Sequence, residues 1–178
     1  MLTISKCTGI DYTHPALGGG FGPKFKVVGG YDFVGDNYDP STGTVTPDAD
    51  PFDTCNGHGT HVAGIIGANP GNMYNVTGVA YEASLRSYRV FGCNMLTDDA
   101  IILDALLRAY DEGNDVITLS IGGYSGWSTS TAAVVASRIA KRGRVVTVAA
   151  GNEGDFGAWF AESPASGVDV ISVASVEK

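Results

Sequence analysis

The chain has 178 residues, 44% of them hydrophobic and 17% charged, with a net charge of −8. That is long enough for one domain with a sizeable core and too short for two large ones, and the composition is that of a folded chain, not a disordered one. The acidic balance argues against nucleic acid or an anionic membrane as partner. No apolar run approaches the roughly 18 residues of a membrane span, and the first residues lack the basic start and apolar core of a secretory signal. Cys7, Cys55 and Cys93 cannot all pair within one chain, so they fix no redox compartment.

In chain order, Leu2 to Ile4 reads as a short strand, followed by a glycine-rich loop from Cys7 to Gly22. Its run Gly18-Gly19-Gly20 with Gly22 is not a phosphate loop, because no strand precedes it and no helix starts there. Lys24 to Val28 and Tyr31 to Val34 read as short strands around Gly29-Gly30. Asp36 to Asn56 is polar, carries Pro40, Pro47 and Pro51, and reads as a surface loop. A helix beginning at His58 ends near Gly67, and Leu85 to Phe91 reads as a strand bounded by Gly92.

The next helix has signals at both ends. Thr97 can cap it, Asp98 and Asp99 put negative charge where the helix dipole favours it, and Gly113 ends it. Ile101, Ile102, Ala105, Leu106 and Ala109 share one face. Val116 to Ile121 reads as a buried strand leading into Gly122-Gly123. A third helix spans about Ser130 to Arg142, and strands follow at Arg144 to Ala149 and Val168 to Ala174. Strands alternating with helices imply an α/β fold, a mostly parallel, doubly wound sheet with helices on both faces. No repeat or linker appears, so residues 1–178 read as one domain.

The stretch NGHGTHVAG, Asn56 to Gly64, holds two of the three histidines and three glycines. It places an imidazole at the first turn of a buried helix, a position that suits a general base. This motif resembles the histidine motif of the subtilisin family of serine endopeptidases, in which the first histidine, here His58, is catalytic. Gly9 to Gly20 (GIDYTHPALGGG), Tyr88 to Phe91 and Ala149 to Gly154 are similar to the same family. The resemblance implies that Asn152 donates to the oxyanion. It also implies that Ser120, Ile121 and Gly122 pair with an extended substrate, and that Ala149, Ala150 and Gly151 form the opposite wall of the first specificity pocket. Small residues on both walls suggest a wide, apolar pocket. Convergence of Cys7, His58 and Asn152 at one sheet edge is implied as well, as is a cis bond at Ser163-Pro164.

Two departures accompany the match. The family's triad aspartate stands immediately before Thr-Gly-Ile, where this chain has Cys7; Asp11, four residues on, is a poor substitute. The family's nucleophile segment, Gly-Thr-Ser followed by small residues and a proline, is absent. The chain therefore reads as an N-terminal portion of a subtilisin-like serine endopeptidase, inert alone, with Met1 to Cys7 as a foreign lead-in from a truncated or misjoined gene. The resemblance implies protein or peptide substrates, a monomer and an extracellular location. It implies no cofactor; calcium occurs in the family, but no site is assigned. Two other readings stay open: a catalytically dead peptide-binding module, and a metal-binding domain using Cys55, His58 and His61, with Cys7 nearby.

Overall fold

The computed structural model describes residues 2–176, and of the strand Leu2–Cys7 it describes the backbone. The described residues form strands β1 (Leu2–Cys7), β2 (Val27–Asp32), β3 (Leu85–Arg89), β4 (Val116–Leu119), β5 (Gly123–Tyr124), β6 (Val145–Ala149), β7 (Glu162–Ser163) and β8 (Ile171–Val173). The helices are α1 (His58–Gly67), α2 (Asp99–Asp111) and α3 (Thr131–Lys141). Six strands make one sheet in the order β2-β3-β1-β4-β6-β8, each pair parallel. The antiparallel pair β5-β7 stands beside it.

The runs Val-Ile-Thr-Leu in β4 and Val-Val-Thr-Val in β6 are β-branched and apolar, as strands covered on both faces require. Leu85 and Tyr88, three residues apart in β3, lie on opposite faces. Leu85 packs with Ile10, Leu17, Val27 and Ala63 beneath α1. Tyr88 joins Ile117, Leu119, Val146 and Val148 beneath α2 and α3, which contribute Leu106, Ala109, Ala136 and Ile139. Full burial of an aliphatic side chain of this size contributes roughly 1.5–3 kcal/mol, so these two layers hold the sheet.

The doubly wound α/β arrangement read from the sequence is present, with local differences. β1 runs to Cys7 instead of stopping at Ile4, and it is central: Leu2 to Ser5 pair in register with both Leu85 to Tyr88 and Val116 to Leu119. The two strands expected around Gly29-Gly30 are one strand with a register shift between Val27 and Gly29. α2 is capped by Asp98, which accepts from the Ala100 amide at 2.8 Å, one residue after the expected Thr97. Asp98 has the extended backbone and short carboxylate that a cap needs. The Ser163-Pro164 bond is cis, as the resemblance implied.

Candidate active site

All strands of the main sheet are parallel, so their C-terminal ends share one edge, where open α/β sheets place their sites. Cys7 ends β1, Ser120 follows β4, and Ala149 ends β6 with Asn152 three residues later.

His58 reaches that edge by way of Asp53. Asp53 is 7% exposed and accepts from the amides of Cys55 (3.0 Å), Asn56 (2.9 Å) and Gly57 (2.6 Å). It also takes the Thr8 hydroxyl at 2.8 Å. One carboxylate thus binds three successive N–H groups of the loop before α1 to the residue after Cys7. Gly57 turns the chain with φ 84°, a left-handed value that a side chain would strain, and α1 begins at His58. The His58 amide donates to the Asn56 side-chain oxygen at 3.1 Å, and the Asp11 amide donates to Thr60 at 2.8 Å. These contacts leave the half-buried His58 at the helix start, beside the end of β1. How the Cys7 thiol stands to the imidazole lies outside what the structure describes.

A second support is Arg89, at the end of β3 and 2% exposed. Its guanidinium donates to the Phe52 carbonyl at 3.2 Å, lies 2.7 Å from Asp36 and 3.3 Å from Asp32, and approaches both sulfurs of a Cys55–Cys93 disulfide. The Arg89 hydrogen bond holds the Asp36 carboxyl below its ordinary range. Burial pushes the Asp32 carboxyl up, although the Gly35 and Val34 amides and Arg89 oppose the shift. Asp36, the nearer of the two, is therefore the carboxylate that the Arg89 guanidinium holds more firmly.

Cys55 is bonded to Cys93 and offers no thiolate beside His58 and His61. Cys55 and Cys93 also converge with Asp36 in a ligand-like group, and their bond occupies both sulfurs. His61 lines a cleft of about 700 Å³ with His14, Leu17, Ile65 and Tyr74, and His58 is not part of that lining.

Asn152 is exposed, and its amide donates to Glu153 Oε2 at 2.9 Å. The two segments that the resemblance assigns to the specificity pocket diverge from the ends of β4 and β6. The expectation of an apolar space between them is corrected, because a carboxylate stands there. The Glu162 amide donates to the Ala150 carbonyl at 2.9 Å. A Cβ on Gly122 would lie 2.2 Å from Glu162 Oε2, and one on Gly151 would lie 2.9 Å from Glu162 Cγ. Sequence reasoning also missed Asp53, inside a loop read as surface. Its signal was the helix start itself, whose amides need an acceptor in a loop containing an aspartate.

Against this geometry, the model of the subtilase family matches residues 8–178. The chain belongs to the subtilase family. The match begins directly after Cys7 and takes in the His58 and Asn152 motifs. This subtilase is 38% identical to the minor extracellular protease Vpr of Bacillus subtilis (strain 168), over 96% of its own length and 20% of the relative's. It is 35% identical to thermitase of Thermoactinomyces vulgaris, over 96% of this chain and 53% of thermitase. Among solved structures, a protease from Pseudoalteromonas arctica superposes with a TM-score of 0.72 at 26% identity, covering 98% of this chain and 55% of that one. Sphericase gives 0.63 at 28% identity, covering 86% and 46%. This subtilase thus spans between a fifth and about half of these curated relatives' lengths.

Proposed function

We propose that this chain is the histidine- and oxyanion-bearing part of a serine endopeptidase acting on proteins or peptides, and that these 178 residues alone do not cleave them. His58 is the general base that takes a proton from an attacking hydroxyl. The Asn152 side-chain amide donates to the oxygen that becomes negative as the carbonyl turns tetrahedral. Such a donor contributes about 10²–10³ in turnover in subtilisin, where the effect was dissected. The extended substrate lies along Ser120, Ile121 and Gly122, with Ala149, Ala150 and Gly151 opposite.

The observation that carries this reading is the Thr8–Asp53–Gly57 hydrogen-bond bridge, which brings the helix start at His58 to the end of β1. Cys7 occupies the triad carboxylate's place and, as a thiol, cannot offset the imidazolium charge. Ser120 belongs to the substrate-facing segment and Ser125 to the loop after it, so neither is an activated nucleophile. The Cys55–Cys93 disulfide supports an oxidising, extracellular setting. The relatives' names include both an extracellular protease and the major intracellular serine protease of Bacillus subtilis (strain 168). Among the described residues, no helix is long and apolar enough to cross a membrane.

The purified chain tests the inactivity. A fluorophosphonate labels a serine only when a base activates it and an oxyanion hole holds the adduct. No labelling and no casein hydrolysis above background are expected, before or after Cys7→Asp. Stoichiometric labelling of any serine would refute this part of the proposal.

A further inference from the structure

The loop from Asn72 to Gly78 leaves the end of α1 and returns to it, and it is held at both ends. At the start, the Asn72 side-chain amide donates to the carbonyls of Asn69 and Val76. The Asn75 backbone amide donates to the Asn72 carbonyl at 3.1 Å. At the return, the Gly78 amide donates to the Ala68 carbonyl at 2.9 Å, and the Val79 and Ala80 amides donate to Ile65 and Ile66. A Cβ on Gly78 would lie 2.4 Å from the Ala68 nitrogen, so the return is pressed against the helix end. Between these anchors, residues 73–77 are all exposed.

This loop carries Asn75-Val76-Thr77, the one Asn-X-Ser/Thr triplet in the sequence. Such triplets arise by chance, so placement decides what this one does. Among the described residues, neither the Asn75 side-chain amide nor the Thr77 hydroxyl takes a hydrogen bond. Asn75 has φ 54°, a left-handed value that asparagine tolerates better than most residues. Backbone conformation thus accounts for an asparagine at 75 and leaves the free hydroxyl at 77 without a structural duty. The surroundings are apolar as well. Met73 is 80% exposed and Val79 91%, and half-exposed Tyr74 and Val76 stand between them. Exposed apolar side chains crowded into one loop form a patch that calls for a cover.

We propose that Asn75 is the acceptor of an N-linked glycan, whose first sugars cover the apolar loop around it. The inference rests on the oxidising, extracellular setting read from the Cys55–Cys93 bond, and it is independent of the peptidase chemistry. The donor is an oligosaccharide carried on a polyprenyl diphosphate, delivered by a membrane oligosaccharyltransferase. The Asn75 amide nitrogen bonds to C1 of the sugar as the C1–O bond to phosphate breaks. Polyprenyl diphosphate leaves with that electron pair, and one amide proton passes to a base of the transferase. Thr77 supplies the hydroxyl that completes the acceptor triplet. Because residues 73–77 face water, the glycan fits the folded chain without displacing a contact. The C–H faces of its sugar rings pack on Met73 and Tyr74 while their hydroxyls stay in water.

The 178-residue chain is translated behind a cleavable secretory leader with endoplasmic-reticulum microsomes, and the protease-protected, translocated chains are analysed. Transfer precedes folding, so variants that fold poorly still report. The translocated chain is expected to gain the mass of one oligosaccharide. Peptide N-glycosidase is expected to remove it and leave a carboxylate in place of the Asn75 amide, read by peptide mass spectrometry. Asn75→Gln and Thr77→Val are expected to lose the added mass, and Thr77→Ser, which restores a hydroxyl, to keep it. Binding of an apolar-surface dye to the folded glycoprotein is expected to rise when the glycan is removed. A translocated chain of unmodified mass overturns the acceptor site, as does added mass that persists in Asn75→Gln. Unchanged dye binding overturns the covering role. A translocated chain that lacks the Cys55–Cys93 bond overturns the setting on which the inference rests, which an unmodified mass alone does not.

Discussion

The Thr8 hydroxyl donates to Asp53 at 2.8 Å across 45 positions of sequence, and this one bond fastens the end of the central strand to the loop that presents His58. Asp53 then takes the Cys55, Asn56 and Gly57 amides. Asp53→Ala leaves four donors without their acceptor, and water reaches only the more exposed of them. Stability is expected to fall by about 2–4 kcal/mol, read from urea midpoints at unchanged slope. A loss below about 1 kcal/mol would show that the carboxylate does not hold this loop.

The Cys55–Cys93 bond closes a loop across a sequence separation of 38. The chain-entropy treatment gives such a closure about 4 kcal/mol of stabilisation. The double variant Cys55→Ser/Cys93→Ser is expected to lose an amount of that order. An oxidised chain and a chain kept in reductant should differ likewise in urea midpoint. Coincident unfolding curves would contradict a structural role for the bridge.

Glu112 supplies the pH dependence. It accepts from the Tyr88 hydroxyl at 2.6 Å and from Arg108 Nε at 2.8 Å, and it pairs with Arg86. Burial pushes its carboxyl up, but the Tyr88 and Arg108 hydrogen bonds and the two arginine charges outweigh burial and hold it below its ordinary 4.5. A carboxyl depressed in the folded state stabilises the fold fully above its unfolded pKa, and that contribution is lost as pH falls through the folded pKa. Its side chain is 25% exposed, so Glu112→Gln is expected to cost only about 1–2 kcal/mol near neutral pH. The gap between the two proteins should close as pH falls below about 4.5. Urea midpoints across that range check it, and an undiminished gap near pH 3 contradicts the assignment.

What the sequence made legible was periodic or motif-borne. The helix around Leu106 and Ala109 and the strand Val116 to Leu119 declare themselves through spacing. The NGHGTHVAG stretch declares itself through glycines that a turn into a helix requires. The contacts that crossed the chain stayed hidden. Asp53 sits in a polar, proline-bearing stretch that reads as surface, and only the Thr8 and Gly57 contacts reveal its burial. Glu162 carried no signal in the sequence, because its surroundings come from the ends of two strands far from it in sequence. Cys55 and Cys93 could equally have been thiols, since pairing depends on distance and no local pattern encodes it. β1 looked like a stub because a short strand gains its place only from the neighbours on either side.

The assignment of His58 and Asn152 as base and oxyanion donor is tested most directly by supplying a nucleophile segment. A segment carrying the subtilisin family's Gly-Thr-Ser nucleophile motif is joined after residue 178, with Cys7→Asp in the same chain. The folded chimera is expected to label with fluorophosphonate and to hydrolyse casein. His58→Ala is expected to abolish labelling, and Asn152→Ala to reduce turnover by about 10²–10³. Labelling and hydrolysis that persist in the His58→Ala chimera would contradict the assignment.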